Sequence, residues 1–319
     1  MKRVTSQRWY QRALATVVLA LFFCSCGDRT LGLMRLVPQE SCAILSVDWS
    51  SIKNDHELRQ VIKARELEAS LRRLRINDKS IKNIVVFSGI DSKSISGLLL
   101  RGAFESKQVV AELKSHGWTE ESIDGAKAYV NASEYIAFLA RDTLFAGTRE
   151  AALCVFRAKK DVSESLVGSS LYKKINSGIA SADAKPVKAF LLIPQGTLDM
   201  ADAALTATSV ALSFFNLGGI GQLLKAMNVA RGFAFTLDHG KNHRYPVEFC
   251  VLMRDESAAV FMNGSLNAMK QFSELAAAGD RRDELAIREI RKMAITRKDE
   301  VLTVKMEMPV EALFPPSKR

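Results

Sequence analysis

The chain has 319 residues, with 45 Lys+Arg against 35 Asp+Glu for a formal charge of +10, and 48% of its residues are hydrophobic. With 25% charged residues, it is neither a disordered chain, nor a collagen-like repeat, nor a protein of many membrane spans. The length fits one large domain or two modest ones.

Residues 1–12 carry Lys2, Arg3, Arg8 and Arg12 and no acid, Ala13 to Phe23 is an uninterrupted apolar run, and Cys24-Ser25-Cys26-Gly27 follows. A basic start, a short apolar core and a small residue before the cut describe a secretory signal peptide over 1–25. The run is too short to span a bilayer, which needs about 20 residues. Phe23-Cys24-Ser25-Cys26 resembles the lipobox of bacterial lipoproteins. Phe23 stands where Leu is usual, but Ser25 is a suitable small residue before the cut, whereas bulky Phe23 would immediately precede Cys24. The resemblance implies cleavage before Cys26, acylation of that thiol and a lipidated tether over 26–37. Its sorting rule, with Gly27 rather than Asp after the cysteine, implies the outer membrane or periplasmic face. Removing the four bases of the leader from the 45 of the chain leaves 41 against 35 acids, a net +6. So mild a charge outside the cytoplasm argues against a nucleic-acid partner.

Ser41–Asp48 reads as a strand. Trp49–Ile76 reads as one amphipathic helix, with Leu58, Val61, Ile62, Leu67, Leu71 and Leu74 at spacings of three and four. Strands follow at Ile84–Ile90 and Leu98–Phe104, then a helix over Glu105–His116 stopped by a left-handed Gly117. Glu120-Glu121 fall in a predicted loop. A hairpin joins Tyr135–Ala140 to Thr143–Gly147 about Arg141-Asp142, and Thr148 caps a helix running to Ala158. After a linker near Ala182–Pro186 the order recurs. It runs through a strand at Val187–Ile193, a helical stretch to Val229, strands at Gly232–Leu237 and Val247–Met253, helices at Ser257–Leu275 and Arg282–Lys292, and a hairpin of Ala294–Arg297 with Val301–Met308.

Spacings support the recurrence. Val47 to Ile84 is 37 residues and Ile193 to Gly232 is 39; Ile84 to Leu98 is 14 and Gly232 to Val247 is 15. These features predict an α+β fold of two tandem βαββαβ-type units of the split-βαβ, ferredoxin-like plan, over 38–182 and 183–319. Each is expected to be an antiparallel sheet with helices on one face. The opening Val37-Pro38-Gln39-Glu40-Ser41-Cys42-Ala43, after a signal peptide and before two such units, resembles a group of uncharacterised bacterial lipoproteins with a duplicated α+β unit. That resemblance implies architecture and address, with no established activity and no catalytic residue.

Chemistry is sparse. His239 and His243 have an H-x3-H spacing with Asp238 beside them, which could ligate a metal, but in a strand-to-strand turn the spacing does not hold two imidazoles on one face. Ser50-x-x-Lys53 and Ser170-x-x-Lys173 match a penicillin-recognising signature without the K-T-G it needs. Gly218-Gly219-Ile220-Gly221 lacks the Lys and Ser/Thr of a P-loop and reads as a break between helices. The basic cluster of Arg72, Arg73, Arg75, Lys79 and Lys82 fits a solvated helix end. Ala203–Leu224 is uncharged but polar-studded, and fits a buried or interface-forming helix pair better than a span. Cys42, Cys154 and Cys250 lie among apolar neighbours, the setting of buried free thiols, although an oxidising compartment leaves one disulfide open.

With no cofactor motif and no catalytic constellation, the sequence predicts a lipid-anchored cell-envelope protein that is a binding or structural module. It would meet the membrane through its lipid, and meet a protein, a peptide or a second copy through its body. The alternative is a cell-envelope enzyme at the junction of the two units, using His239, His243 and Asp238, or Asp48 at a strand end.

Overall fold

The computed structural model describes residues 31–61, 71, 76, 80–89, 95–179, 185–193, 230–272 and 291–309. The leader with Cys26, most of the basic cluster after Leu71, Ala203–Leu224 and most of Arg282–Lys292 lie outside them. No helix among the described residues is long and apolar enough to cross a membrane.

The fold is α+β, built on one twelve-stranded antiparallel sheet. Its strands are β1 (Ser41–Val47), β2 (Ile81–Gly89), β3 (Ser96–Gly102), β4 (Thr119–Ile123), β5 (Ala126–Asn131), β6 (Glu134–Ala140), β7 (Thr143–Gly147), β8 (Val187–Leu192), β9 (Ala230–Leu237), β10 (Arg244–Met253), β11 (Ala294–Lys298) and β12 (Val301–Pro309). Across the sheet the order is β11-β12-β10-β9-β8-β1-β2-β3-β7-β6-β5-β4. The described helices are α1 (Leu31–Met34), α2 (Trp49–Ile52), α3 (His56–Val61), α4 (Ser106–Ser115), α5 (Arg149–Lys160), α6 (Ser170–Ser177) and α7 (Glu256–Phe272).

The expected pair of sheets is a single sheet, because β1 and β8 pair antiparallel from Ala43↔Leu191 to Val47↔Val187. The split-βαβ order is also corrected. That plan interleaves strands so that helix-linked ones run parallel, whereas here β1 lies beside β2, and β2 beside β3, all antiparallel. Nor do helices keep to one face. α4 packs with Leu100, Ile136 and Leu144 through Leu113, while α5 packs with Leu99, Ala137 and Phe145 through Ala151, Ala152 and Val155 on the other side. Cover on both faces explains why β1, β2, β8 and β9 read as nearly continuous apolar runs.

Both apolar layers cross the β1–β8 seam. One joins Leu45, Val47, Ile84 and Leu100 to Val187, Ala189, Phe235 and Leu237. The other joins Ile44, Val85 and Phe87 to Phe190, Ala234, Cys250 and Leu252. Side chains fill the seam on either face. α6, placed by sequence in the first unit, packs on β9 and β10. A Cβ on Gly178 just after it would come within 2.5 Å of Val301 Cγ1 and 2.6 Å of Cys250 Sγ, so the close approach requires glycine.

Residues 31–37, assigned to a tether, are packed into the fold: Leu33, Met34 and Val37 are fully buried, and the Leu166 N–H donates to the Val37 carbonyl. The long helix expected from Trp49 breaks after Ile52. Asp48 caps α2, accepting from the Ser51 N–H at 3.2 Å, and Asp55 accepts from the Leu58 N–H at 2.9 Å and starts α3 afresh. The loop expected at Glu120-Glu121 is strand β4, hairpinned to β5 through Asp124 and Gly125 at φ 50° and 76°, an Asp-Gly turn. Other local expectations are met. Thr148 accepts from the Ala151 N–H at 3.2 Å. Gly117 adopts φ 82° while Trp118 N–H reaches the Leu113 carbonyl and Gly117 N–H that of Lys114, a Schellman end to α4.

Candidate functional site

The polar residues singled out by sequence gather at one end of the seam, where Val47, Val187, Leu237 and Val247 stand side by side. Asp48 leaves β1 here, its N–H bonded to the Pro186 carbonyl at 2.9 Å. Its carboxylate also accepts from Ser50 Oγ at 2.5 Å, so Asp48 and the Ser50 of the S-x-x-K match serve the α2 cap. In the second match, Lys173 donates to the Gly168 carbonyl at 3.0 Å, a turn contact.

The hairpin from β9 to β10 is closed by a tight turn with Asn242 at φ 54° and His243 at φ 58°. A turn with two left-handed residues favours Asn-Gly, and histidine in the second place is uncommon. A compensating contact is present: His243 Nδ1 donates to Glu57 Oε1 at 2.5 Å. A carboxylate can only accept, so the contact places a proton on Nδ1. Tyr245, 3% exposed, donates its hydroxyl to Glu57 Oε2 at 2.5 Å and stands 3.5 Å from Asp55 Oδ1. The Tyr245 hydrogen bond, with His243 assisting, holds the Glu57 carboxyl below its ordinary range against the opposing effect of burial. Burial first, then the bond to Glu57, pushes the Tyr245 phenol well above its ordinary value.

Beside this group Lys185 Nζ binds Asp238 Oδ2 at 2.5 Å, and Asp238 Oδ1 accepts from the His239 N–H at 2.8 Å. The three residues that could have ligated a metal are therefore divided: Asp238 is bound by Lys185 and His243 by Glu57. Among the described residues no group of three or more His, Cys, Asp or Glu is placed to hold an ion. What the corner offers chemically is an imidazole oriented by a carboxylate, with a phenol behind it.

Sequence reasoning missed Glu57, Tyr245 and Lys185, which lie far from His243 or from Asp238 in the chain or carry no motif. It also missed a polar row crossing the opposite face of the seam, Ser46↔Lys188↔Thr236↔Glu248↔Lys305. Ser46, Lys188, Thr236 and Glu248 are buried, and Lys305 Nζ reaches Glu248 Oε1 at 3.1 Å. Its signal was a polar residue interrupting each apolar strand at one register. None of Cys42, Cys154 and Cys250 is in a disulfide. Burial pushes Cys250 up to about 12, which removes its nucleophilic form at neutral pH.

No protein-family model matches the chain, and no curated protein matches it. Among solved structures it is similar to crystal forms III and I of TP0453. Form III is 11% identical, covering 88% of this chain and 95% of that one at a TM-score of 0.46. Form I is 10% identical, covering 88% and 94% at a TM-score of 0.46.

Proposed function

We propose that this chain is a lipid-anchored protein of the cell envelope, tethered through acyl groups on Cys26, whose body is a binding or structural module with no reaction of its own and no nucleic-acid partner. The observation that carries the reading is the N-terminal sequence: four bases, an apolar run too short to span, then Ser25-Cys26-Gly27. Labelling cells with a radioactive fatty acid tests it. Label present on the native protein and lost from Cys26→Ala is the expected result; equal label on both overturns the anchor.

We further propose that the body is two copies of one βαββ-plus-hairpin plan joined edge to edge. Outward from the seam one side runs β1, β2, β3, β7, β6 and the other β8, β9, β10, β12, β11. A helix follows the third strand of each half, α4 after β3 and α7 after β10, which supports the reading.

The rival, an enzyme at the junction, draws its support from the His243–Glu57–Tyr245 group. Metal analysis of the purified protein distinguishes them. The module contains no stoichiometric transition metal, and a bound metal lost in His243→Ala would favour the enzyme.

A further inference from the structure

Resting on the reading of the chain as anchored through Cys26, we propose that the end of the sheet at which α1 begins is a membrane-contact face. It holds the body against the anionic phospholipid headgroups of the bilayer that carries the anchor.

Residues 27–30 alone separate Cys26 from α1. Since Leu33 and Met34 of α1 are buried, the free length of chain ends there. A Cβ on Gly32 would lie 2.9 Å from both Arg101 Nη atoms, which sets the start of α1 against that guanidinium. Arg101 is near the end of β3, opposite Thr143 of β7, and its Nε lies 3.4 Å from Asp142 Oδ2 in the β6–β7 turn. From Cys26 to Gly32 the chain spans at most about 20 Å even when fully extended. A globular chain of this length has a radius of gyration of about 20 Å, so its far side lies beyond that reach. The anchor therefore holds the end that bears α1 at the bilayer surface.

The charges around that end suit an anionic surface. Exposed Arg141 lies in the β6–β7 turn, and α5 finishes beside it. Lys159 Nζ donates to the Leu139 carbonyl at 2.5 Å, and Lys160 Nζ meets Asp124 Oδ2 in the β4–β5 turn at 2.6 Å. With Arg101 and Arg157 these make five bases against Asp124, Asp142 and Asp161, a net +2. The helix macrodipole favours bases at the end of α5 but has no bearing on Arg141, which belongs to a strand turn. Further along the same end, toward the second half, charges are matched in pairs, Lys185 with Asp238 and Arg244 with Glu307. Back along α5 the sign reverses. Burial first, then the charge of Glu40, pushes the Cys154 thiol up, with Glu164 and Glu150 adding to it against Arg157. A bilayer of anionic lipid therefore attracts the end that bears α1 and repels the other.

The test uses the full acylated chain, reconstituted into vesicles of phosphatidylcholine alone or of equal parts phosphatidylcholine and phosphatidylglycerol. Amide hydrogen exchange is read at the two turns that flank β6. Expected over Arg141–Asp142 is exchange about fivefold slower in the anionic vesicles, the factor one basic side chain contributes at such a surface. Exchange over Ala132–Ser133, at the far end of β6, is expected to be the same in both. Arg141→Glu with Lys159→Glu should abolish the difference between vesicles while leaving the circular dichroism spectrum unchanged. Sodium chloride at about 1 M should abolish it in the native chain, by screening. The proposal is overturned by equal exchange of the Arg141–Asp142 turn in the two vesicles, by slowing at Ala132–Ser133 instead, or by a slowing that survives the charge reversal. Equal exchange with fatty-acid label lost in Cys26→Ala removes the contact face and leaves the anchored module. Label retained in Cys26→Ala overturns the anchor, and the face with it, because the face is placed by where the anchor is.

Discussion

His243 sits at φ 58°, where a side chain bearing a Cβ costs about 1–2 kcal/mol, and its bond to Glu57 offsets that cost. Glu57 in turn depends on Tyr245. Replacing Tyr245 with Phe removes the main donor to the carboxylate, and urea titration should show a loss of about 1–2 kcal/mol. The pH dependence follows from the same group. The Glu57 carboxyl is held below its unfolded value of 4.5, so its contribution is complete above that value. It is lost as pH falls through the folded value, where the unfolded chain binds the proton first. Stability should therefore drop on acidification below about pH 4.5, and Tyr245→Phe should flatten that drop. A further left-handed residue, Ala132 at φ 55° in the β5–β6 turn, has no side-chain function to offset its strain. Ala132→Gly should raise the thermal midpoint by the equivalent of about 1 kcal/mol.

Elements formed wherever the local chemistry was unambiguous. Thr148 before α5 and Gly117 after α4 are start and stop signals whose geometry the chain adopts in full, and Thr148→Ala should cost about 1 kcal/mol in denaturant titration. Asp124-Gly125 was an equally plain turn signal, obscured because the charged TEESI of β4 has little strand propensity and is held by pairing with β5. The break after Ile52 was legible only in retrospect. The apolar stripe continues past it, while α2 closes with the Lys53 N–H on the Trp49 carbonyl and the Asp55 carboxylate, capturing the Leu58 N–H, starts α3 afresh. Between β3 and β7, Gly97 pairs with Gly147. A Cβ on Gly97 would meet the Phe87 ring at 2.6 Å and the Phe145 ring at 2.7 Å. Gly97→Ala should therefore destabilise by about 2–3 kcal/mol, read from the urea midpoint.

Across the whole molecule the two halves are one sheet with two apolar layers, each crossing the seam. α6 reinforces the join. Lys174 Nζ meets Glu300 Oε1 at 2.9 Å, and Thr303 Oγ1 donates to the Gly178 carbonyl at 3.0 Å. Neither half can lose its structure without exposing apolar surface of the other. Unfolding followed by the fluorescence of Trp49 and Trp118, both in the first half, should coincide with that followed by far-ultraviolet circular dichroism. Separate midpoints would show that the halves melt independently.

By itself the sequence determined the α+β class and most of the strands, β4 and β5 excepted, together with the Thr148 and Gly117 helix ends, because periodicity, caps and turn residues act over a few neighbouring positions. The proposed address also rests on linear sequence alone, on residues 1–27. Tertiary structure alone decided that β1 pairs with β8 rather than each half closing its own sheet. It likewise decided that helices cover both faces, and that Glu57 rather than Asp238 or His239 receives His243. Those outcomes depend on contacts between residues as far apart as Glu57 and His243, and no local pattern encodes which of two distant polar groups a folded chain will bring together.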